Sequence, residues 1–338
     1  MKKKRIYIIA EVGPNHNGSF KLAQKMIAQI AKTGVDAIKF QLGDPDKVYC
    51  LDAFKANYQK ITDKSKSIIE MSKRIQLKRQ DHIKLAKLCK KNKVTYLCSA
   101  FDLDSLIFLD KKINIPLFKI PSGEINSIDM INYIAKKKKR VLLSTGMASF
   151  KEIKNTINKL KKHGNKDITI MHCVSSYPAE KRYLNLNVID TIKEKFDQEV
   201  GYSDHSLGDE ASLAAVAKGA KIIEKHVTIS RKFNGPDHKS SMTILELKNL
   251  VKKIRILELI LGSRRKNFSK DEKNVQKVAR KSLVSARELK KNTIIKKSDI
   301  LFKRPGTGIS PNDFNKIIGK KIKRTIKNNR LIMLKNIK

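Results

Sequence analysis

The sequence predicts an α/β fold, a (β/α)8 TIM barrel followed by a small mostly-β domain, and three observations carry that prediction. Eight short apolar or β-branched runs recur over roughly the first 260 residues, each closing in polar residues. Helical apolar spacing fills the intervals between them. After a charged, apolar-poor stretch the alternation stops, and β-like runs broken by Gly, Pro and Asn take over.

In chain order the strand candidates are RIYIIAEVG from Arg5, AIKFQL from Ala37, VTYLCSAFD from Val94, LFKIPSGE from Leu117, RVLLSTGM from Arg140, DITIMHCVSSYP from Asp167, EVGYSDHS from Glu199 and KIIEKHVTI from Lys221. Their near-continuous apolar character marks strands buried on both faces. Leu22, Met26, Ile27 and Ile30 share one helical face ending at Gly34, and Ile153, Ile157 and Leu160 do the same before Gly164. Ser149 with Glu152, and Thr243 with Glu246, have capping-box spacing and open two helices, the second running to Gly262. Eight alternations are what a closed barrel requires, whereas an open doubly wound sheet has fewer strands and a glycine fingerprint after the first. Residues 43–76 insert a long stretch after the second strand, expected as a lid or active-site loop. Residues 264–282 read as a linker between a barrel of residues 1–263 and a small domain of residues 283–338.

A chain of 338 residues buries an ample core without disulfides, and the four cysteines, Cys50, Cys89, Cys98 and Cys173, form no CxxC pair, which suits a reducing cytosol. The N-terminal MKKKRIYIIAEVG has too short an apolar run and no cleavage site for a leader, and no stretch is long enough for a membrane span. A cytoplasmic protein with no membrane partner is expected. The formal charge is +42, with 24 basic and 5 acidic residues from Arg264 onward. That tail carries only Phe268, Phe302 and Phe314 as stacking aromatics, which argues against a nucleic-acid partner and for a lysine-rich solvated surface that steers small anions.

In such a barrel the carboxyl ends of the strands converge on one mouth. Here they collect Glu11, Lys39, Gln41, Ser99, Lys119, Ser122, Glu124, Ser144, Tyr177, Ser203, His205 and His226. His205 and His226 end neighbouring strands, close enough to share a divalent cation or to be a hydrogen-bonded pair without one. His82 and His163 are expected on solvated helix faces. Lysine inside an apolar strand is expensive unless its charge is used, so Lys39 and Lys119 read as a phosphate or carboxylate clamp, or as a Schiff-base lysine. Ser122, Ser144 and Ser203 would add donors to the same anion, or are turn residues. Glu11 and Glu124 are placed for proton transfer or for pairing with a lysine. Asp237, in the turn FNGPDH, would reach the mouth or is a plain turn residue.

Read together, the motifs AEVGPNHNG, IKFQ, KIPSGE, LLSTGM, HCVSSYP, GYSDHS, EKHVT, GPDH and KRPGTGISP, in this order, resemble the sialic acid synthase (N-acetylneuraminate synthase) family with a C-terminal antifreeze-like (SAF, β-clip) domain. The resemblance departs from the common pattern at Ala100 and Ser175. It implies condensation of phosphoenolpyruvate with N-acetylmannosamine to a nonulosonic acid and phosphate, or, as the alternative, a legionaminic acid synthase using 2,4-diacetamido-2,4,6-trideoxy-mannose. His205 and His226 would hold Mn2+, Mg2+ or another divalent cation. Lys39, Lys119, Ser122, Ser144 and Ser203 would bind phosphoenolpyruvate, while Glu11 and Glu124 manage proton transfers. Gln41, Tyr177 and Asp237 would meet the sugar. The family pattern also implies a homodimer with swapped C-terminal domains, in which Arg304 reaches the partner's barrel. A Schiff-base aldolase and a basic nucleic-acid-binding protein are the readings from outside this class.

Overall fold

The structure, a computed structural model, describes residues 5–338. Residues 1–4, which open the stretch weighed as a leader, lie outside the described residues. All eight apolar runs form strands: β1 (Tyr7–Glu11), β2 (Ala37–Leu42), β3 (Thr95–Ala100), β4 (Leu117–Ile120), β5 (Arg140–Ser144), β6 (Ile168–Cys173), β7 (Glu199–Asp204) and β8 (Ile222–Thr228). Each pairs in parallel with the next, and β1 pairs with β8 over Tyr7↔Ile222 to Glu11↔His226, which closes the barrel. A two-residue strand, β9 (Met242–Thr243), is appended to β8.

The α-helices of the described residues are α1 (Phe20–Ile30), α2 (Pro45–Val48), α3 (Asn57–Thr62), α4 (Ile68–Ile75), α5 (Arg79–Lys91), α6 (Leu103–Phe108), α7 (Ile128–Lys137), α8 (Phe150–Lys162), α9 (Val188–Phe196), α10 (Glu210–Ala217), α11 (Ile244–Leu261), α12 (Lys270–Ala279) and α13 (Phe314–Ile317). Both predicted capping boxes are present, Ser149 with Glu152 opening α8 and Thr243 with Glu246 opening α11. The insertion holds α2, α3 and α4, so it is a partly helical cover rather than an irregular loop. His82 corrects the expectation of a solvated face: it is fully buried on α5, with Nδ1 2.7 Å from the Tyr96 hydroxyl. It shares the inward stripe of Leu85 and Cys89.

Two compact units divide the chain, Met1–Gly262 and Ser263–Lys338. The stretch expected as a linker contains α12, capped by Ser269 with Glu272. The second unit pairs β10 (Ser282–Ser285) with β11 (Ile300–Lys303) in antiparallel fashion. Its core is built of Leu283, Leu289 and a set of isoleucines that includes Ile295, Ile322 and Ile332. Among the described residues no helix is long and apolar enough to cross a membrane.

Candidate active site

The site follows from the two-residue period of the strands. Ile9, Ala37, Leu97, Leu117, Leu142, Met171 and Ile222 fill the barrel interior as one apolar layer. On β7 this layer has Gly201, where a Cβ would collide with the Met171 sulfur, so the tightest point of the interior excludes a side chain. Two residues further along each strand, on the same inner face, stand Glu11, Lys39, Ser99, Lys119, Ser144, Cys173, Ser203 and Glu224. The barrel thus changes from a dry plug to a polar layer within one strand repeat. A third layer, with Gln41 and His226, borders the mouth.

Charge in the polar layer is balanced by two acids and two bases. Lys39 Nζ pairs with Glu11 and donates to Ser99 Oγ at 3.1 Å, with Glu224 Oε1 at 3.6 Å. Lys119 Nζ lies 3.4 Å from the same Glu224 oxygen, which also accepts from Ser203 Oγ at 3.1 Å. All four charged residues are buried. Burial alone would raise the Glu224 carboxyl, but Lys119 and Lys39 hold it down to about 2. Burial pushes the Glu11 carboxyl up against the pull of Lys39 and His226, and it pushes the Lys119 ammonium down. Buried ammonium groups that share one counter-ion, next to an unpartnered Ser144 Oγ, make a receptor for a compact polyanion. Gly146 N donates to Ser122 Oγ at 3.0 Å, which holds that hydroxyl at the same wall.

Lys39, Ser99, Lys119, Ser122, Ser144, Ser203 and Glu224 line an inner lobe of about 270 Å³, whose wall also includes Cys173, Tyr177, His205 and His226; Glu11 stands behind that wall, bonded to Lys39 and Gln41. An outer lobe of about 220 Å³ adjoins it and shares Gln41, Tyr58, Phe101, Tyr177 and His226. The remaining outer wall comes largely from the insertion, with Pro45, Val48, Tyr49, Gln59, Met71, Ser72 and Ile75, and from Asp237. No Lys or Arg stands among the described residues lining this lobe.

His205 and His226 meet where the lobes join, with ring centroids 5.3 Å apart. His205 Nδ1 lies 2.8 Å from the Val174 carbonyl, to which only a protonated nitrogen can donate; this leaves Nε2 as the lone-pair nitrogen, 3.2 Å from the Tyr177 hydroxyl. His226 Nδ1 is buried without a hydrogen bond, 3.4 Å from Asp237 Oδ2. An oriented lone pair beside an orphaned ring nitrogen is a pair of imidazole donors suited to a divalent cation. Among the described residues no group of three or more His, Cys, Asp or Glu stands close enough together to hold a metal ion, so a cation here would take the two imidazoles and keep its other positions open.

The structure therefore brings together Glu11, Lys39, Gln41, Lys119, Ser122, Ser144, Tyr177, Ser203, His205, His226 and Asp237. It does not bring Glu124 into the cluster: that side chain is half-buried, accepts a hydrogen bond from Ser127 Oγ, and touches neither lobe. Arg304 is exposed in the second unit, just after β11. Sequence reasoning missed Glu224, Cys173 and Tyr58. The cost argument applied to the strand lysines holds equally for a glutamate in IIEKHVT, and Glu224 stands two residues before His226. Cys173 stands two residues after Met171 in the same way, whereas Tyr58 carries no periodic signal because its segment is an insertion.

Comparison with known proteins gives two family matches: the NeuB family over residues 26–266 and the SAF domain over residues 280–338. An N,N'-diacetyllegionaminic acid synthase from Campylobacter jejuni is 40% identical over 97% of this chain and 99% of its own. Its namesake from Legionella pneumophila is 37% identical over 94% of this chain and 90% of its own. A solved structure of an N-acetylneuraminic acid synthetase from Leptospira borgpetersenii aligns with a TM-score of 0.71 at 33% identity, covering 80% of this chain and 90% of that one.

Proposed function

Because the chain belongs to the NeuB family, phosphoenolpyruvate-dependent condensing enzymes of nonulosonate synthesis, we propose that it joins phosphoenolpyruvate to 2,4-diacetamido-2,4,6-trideoxy-mannose, giving N,N'-diacetyllegionaminic acid and phosphate. This reverses the order reached from sequence, which put N-acetylmannosamine first. The relatives named for legionaminic acid stand at 40% and 37% identity, against 33% for the sialic acid synthetase. Membership in the family also sets aside the Schiff-base aldolase and the nucleic-acid binder.

An apolar patch in an outer wall free of basic side chains is the observation that carries the choice of sugar. Val48, Met71, Ile75 and Phe101 face the lobe without any lysine or arginine among the described lining residues. Such a wall suits a neutral acceptor with a C6 methyl and two acetamido methyls. It gives no counter-charge to a phosphate.

In the reaction, C3 of the enol phosphate bonds to the aldehyde carbon, water adds at C2, and the C2–O bond breaks to release phosphate. The proton shed by that water balances the one gained by the aldehyde oxygen. Lys39 and Lys119 bind the phosphate and carboxylate of phosphoenolpyruvate, with Ser122, Ser144 and Ser203 donating hydroxyls. Glu11, whose carboxyl burial holds above its ordinary range, moves a proton at its Oε2 atom. Gln41, Tyr177 and Asp237 orient the acceptor. Mn2+, or Mg2+ in its place, held by His205 and His226, would supply Lewis-acid polarisation of the aldehyde. Assembly as a homodimer, with Arg304 completing the partner's acceptor lobe, belongs to the same proposal.

The test offers the purified enzyme phosphoenolpyruvate, Mn2+ and each sugar in turn, and weighs the products. The expected result is a kcat/KM for the diacetamido sugar roughly 10–100-fold above that for N-acetylmannosamine, the range that one apolar contact commands. A preference for N-acetylmannosamine would restore the sequence's first reading.

A further inference from the structure

We propose that Lys55 is a positioning residue for the acceptor lobe: its buried ammonium fixes the loop after α3 and so holds Tyr58 over the mouth. The inference rests on the assignment of the outer lobe to the acceptor sugar. Lys55 is 8% exposed and contacts none of the groups assigned to either substrate. It donates to the carbonyls of Asp63 and Ser65, at 2.7 Å each, with Asp63 Oδ1 at 3.5 Å. The Asp63 carboxylate in turn accepts from Ser65 N at 2.9 Å and pairs with Arg74 on α4. A lysine is rarely buried unless its donors are used, and here they close a polar staple across ten residues of chain.

Apolar packing does not do this work. Helix α3 spans six residues and buries none of them, while Leu51, Phe54 and Ile61 around it are 95%, 83% and 80% exposed. Helix α4, by contrast, buries Ile68, Met71 and Ile75. Its carbonyl at Arg74 also sits against Gly18, whose φ of +71° and missing Cβ allow that approach. So α4 is anchored by its own core and α3 is not. The Lys55 staple ties the chain before α3 to the chain after it, and Thr62 Oγ1, 3.3 Å from the Pro236 carbonyl, ties the last residue of the helix to the turn before Asp237. Between these anchors stands Tyr58, its ring 5.2 Å from that of Tyr177, which lies 4.3 Å from His205. A displacement of α3 is thereby felt at the wall that meets the sugar and hardly at all by Lys39 and Lys119.

The experiment compares wild type with Lys55→Met, which keeps the stem and removes the donors, using steady-state kinetics and hydrogen–deuterium exchange. The KM for the diacetamido sugar should rise about tenfold, equivalent to about 1.4 kcal/mol, with the KM for phosphoenolpyruvate changed by less than about twofold. Exchange should quicken in residues 56–66 and stay constant in α4 and the barrel strands. Equal rises in both KM values, an unchanged sugar KM, or unchanged exchange in residues 56–66 would each overturn the proposal. Lys55→Gln, which retains a donor, should fall between the two and substitutes if the methionine variant is insoluble. If wild type turns over none of the sugars, the function above fails; the exchange result then decides the staple, quickened exchange supporting it and unchanged exchange refuting it.

Discussion

Lys39 and Lys119 share Glu224 as a counter-ion, at 3.6 and 3.4 Å, and that sharing has a consequence for single substitutions. Glu224→Gln leaves two buried ammonium groups with Glu11 as their one remaining carboxylate partner in the polar layer. Breaking a buried pair costs about 3–5 kcal/mol, so the variant should melt well below wild type. A bound polyanion supplies the missing charge, and phosphoenolpyruvate should therefore raise the Tm of Glu224→Gln more than it raises that of wild type. Equal shifts in differential scanning fluorimetry would place the anion elsewhere. His226→Ala should abolish turnover and weaken Mn2+ binding, read by electron paramagnetic resonance, while the Tm stays close to wild type. Retained Mn2+ affinity would remove His226 from the cation site.

Helix α5 shows how burial becomes a pH dependence at the level of an element. Burial holds the His82 imidazole down to about 4, below its ordinary 6.5, because its ring is sealed against Tyr96. Between these values the unfolded chain binds a proton that the native helix refuses. The stability present above pH 6.5 is thus lost as pH falls toward 4, by up to ~3 kcal/mol from this residue. Urea titrations should show His82→Gln losing less stability than wild type between neutral pH and pH 4.5; parallel losses would contradict the assignment. The same helix shows what was legible in the sequence. His82, Leu85 and Cys89 lie at the spacing of one face, yet a histidine was read as polar and assigned outward. Strand runs were legible because burial on both faces leaves a continuous apolar signal, and the strand-end polar residues stood out against it. Residues 264–282 read as a linker and contain α12, whose Ser269 with Glu272 has the same capping-box spacing that opens α8 and α11. Its charged composition masks that signal, and no residue of α12 is buried. Tyr58 and Lys55 were illegible because they lie in an insertion, where neither period applies.

Across the whole molecule, a formal charge of +42 acts differently on the two substrates. Raising ionic strength from about 0.01 M to about 1 M shrinks the screening length from about 30 Å to about 3 Å. The KM for phosphoenolpyruvate should rise over that range while the KM for the neutral acceptor stays nearly constant; a parallel rise would argue for a charged acceptor. The proposed swapped homodimer predicts that His226→Ala and Arg304→Ala subunits, each inactive alone, regain activity when mixed, because one hybrid site is intact. No recovery would place Arg304 in its own subunit's site or outside the chemistry. If a divalent cation and an enol phosphate meet at the junction of the two lobes, anomalous diffraction from crystals soaked with Mn2+ and phosphoenolpyruvate should show one strong peak bonded to His205 and His226, with the phosphate on Lys39 and Lys119 on its inner side. A peak away from both imidazoles, or phosphoenolpyruvate outside the inner lobe, would refute that arrangement.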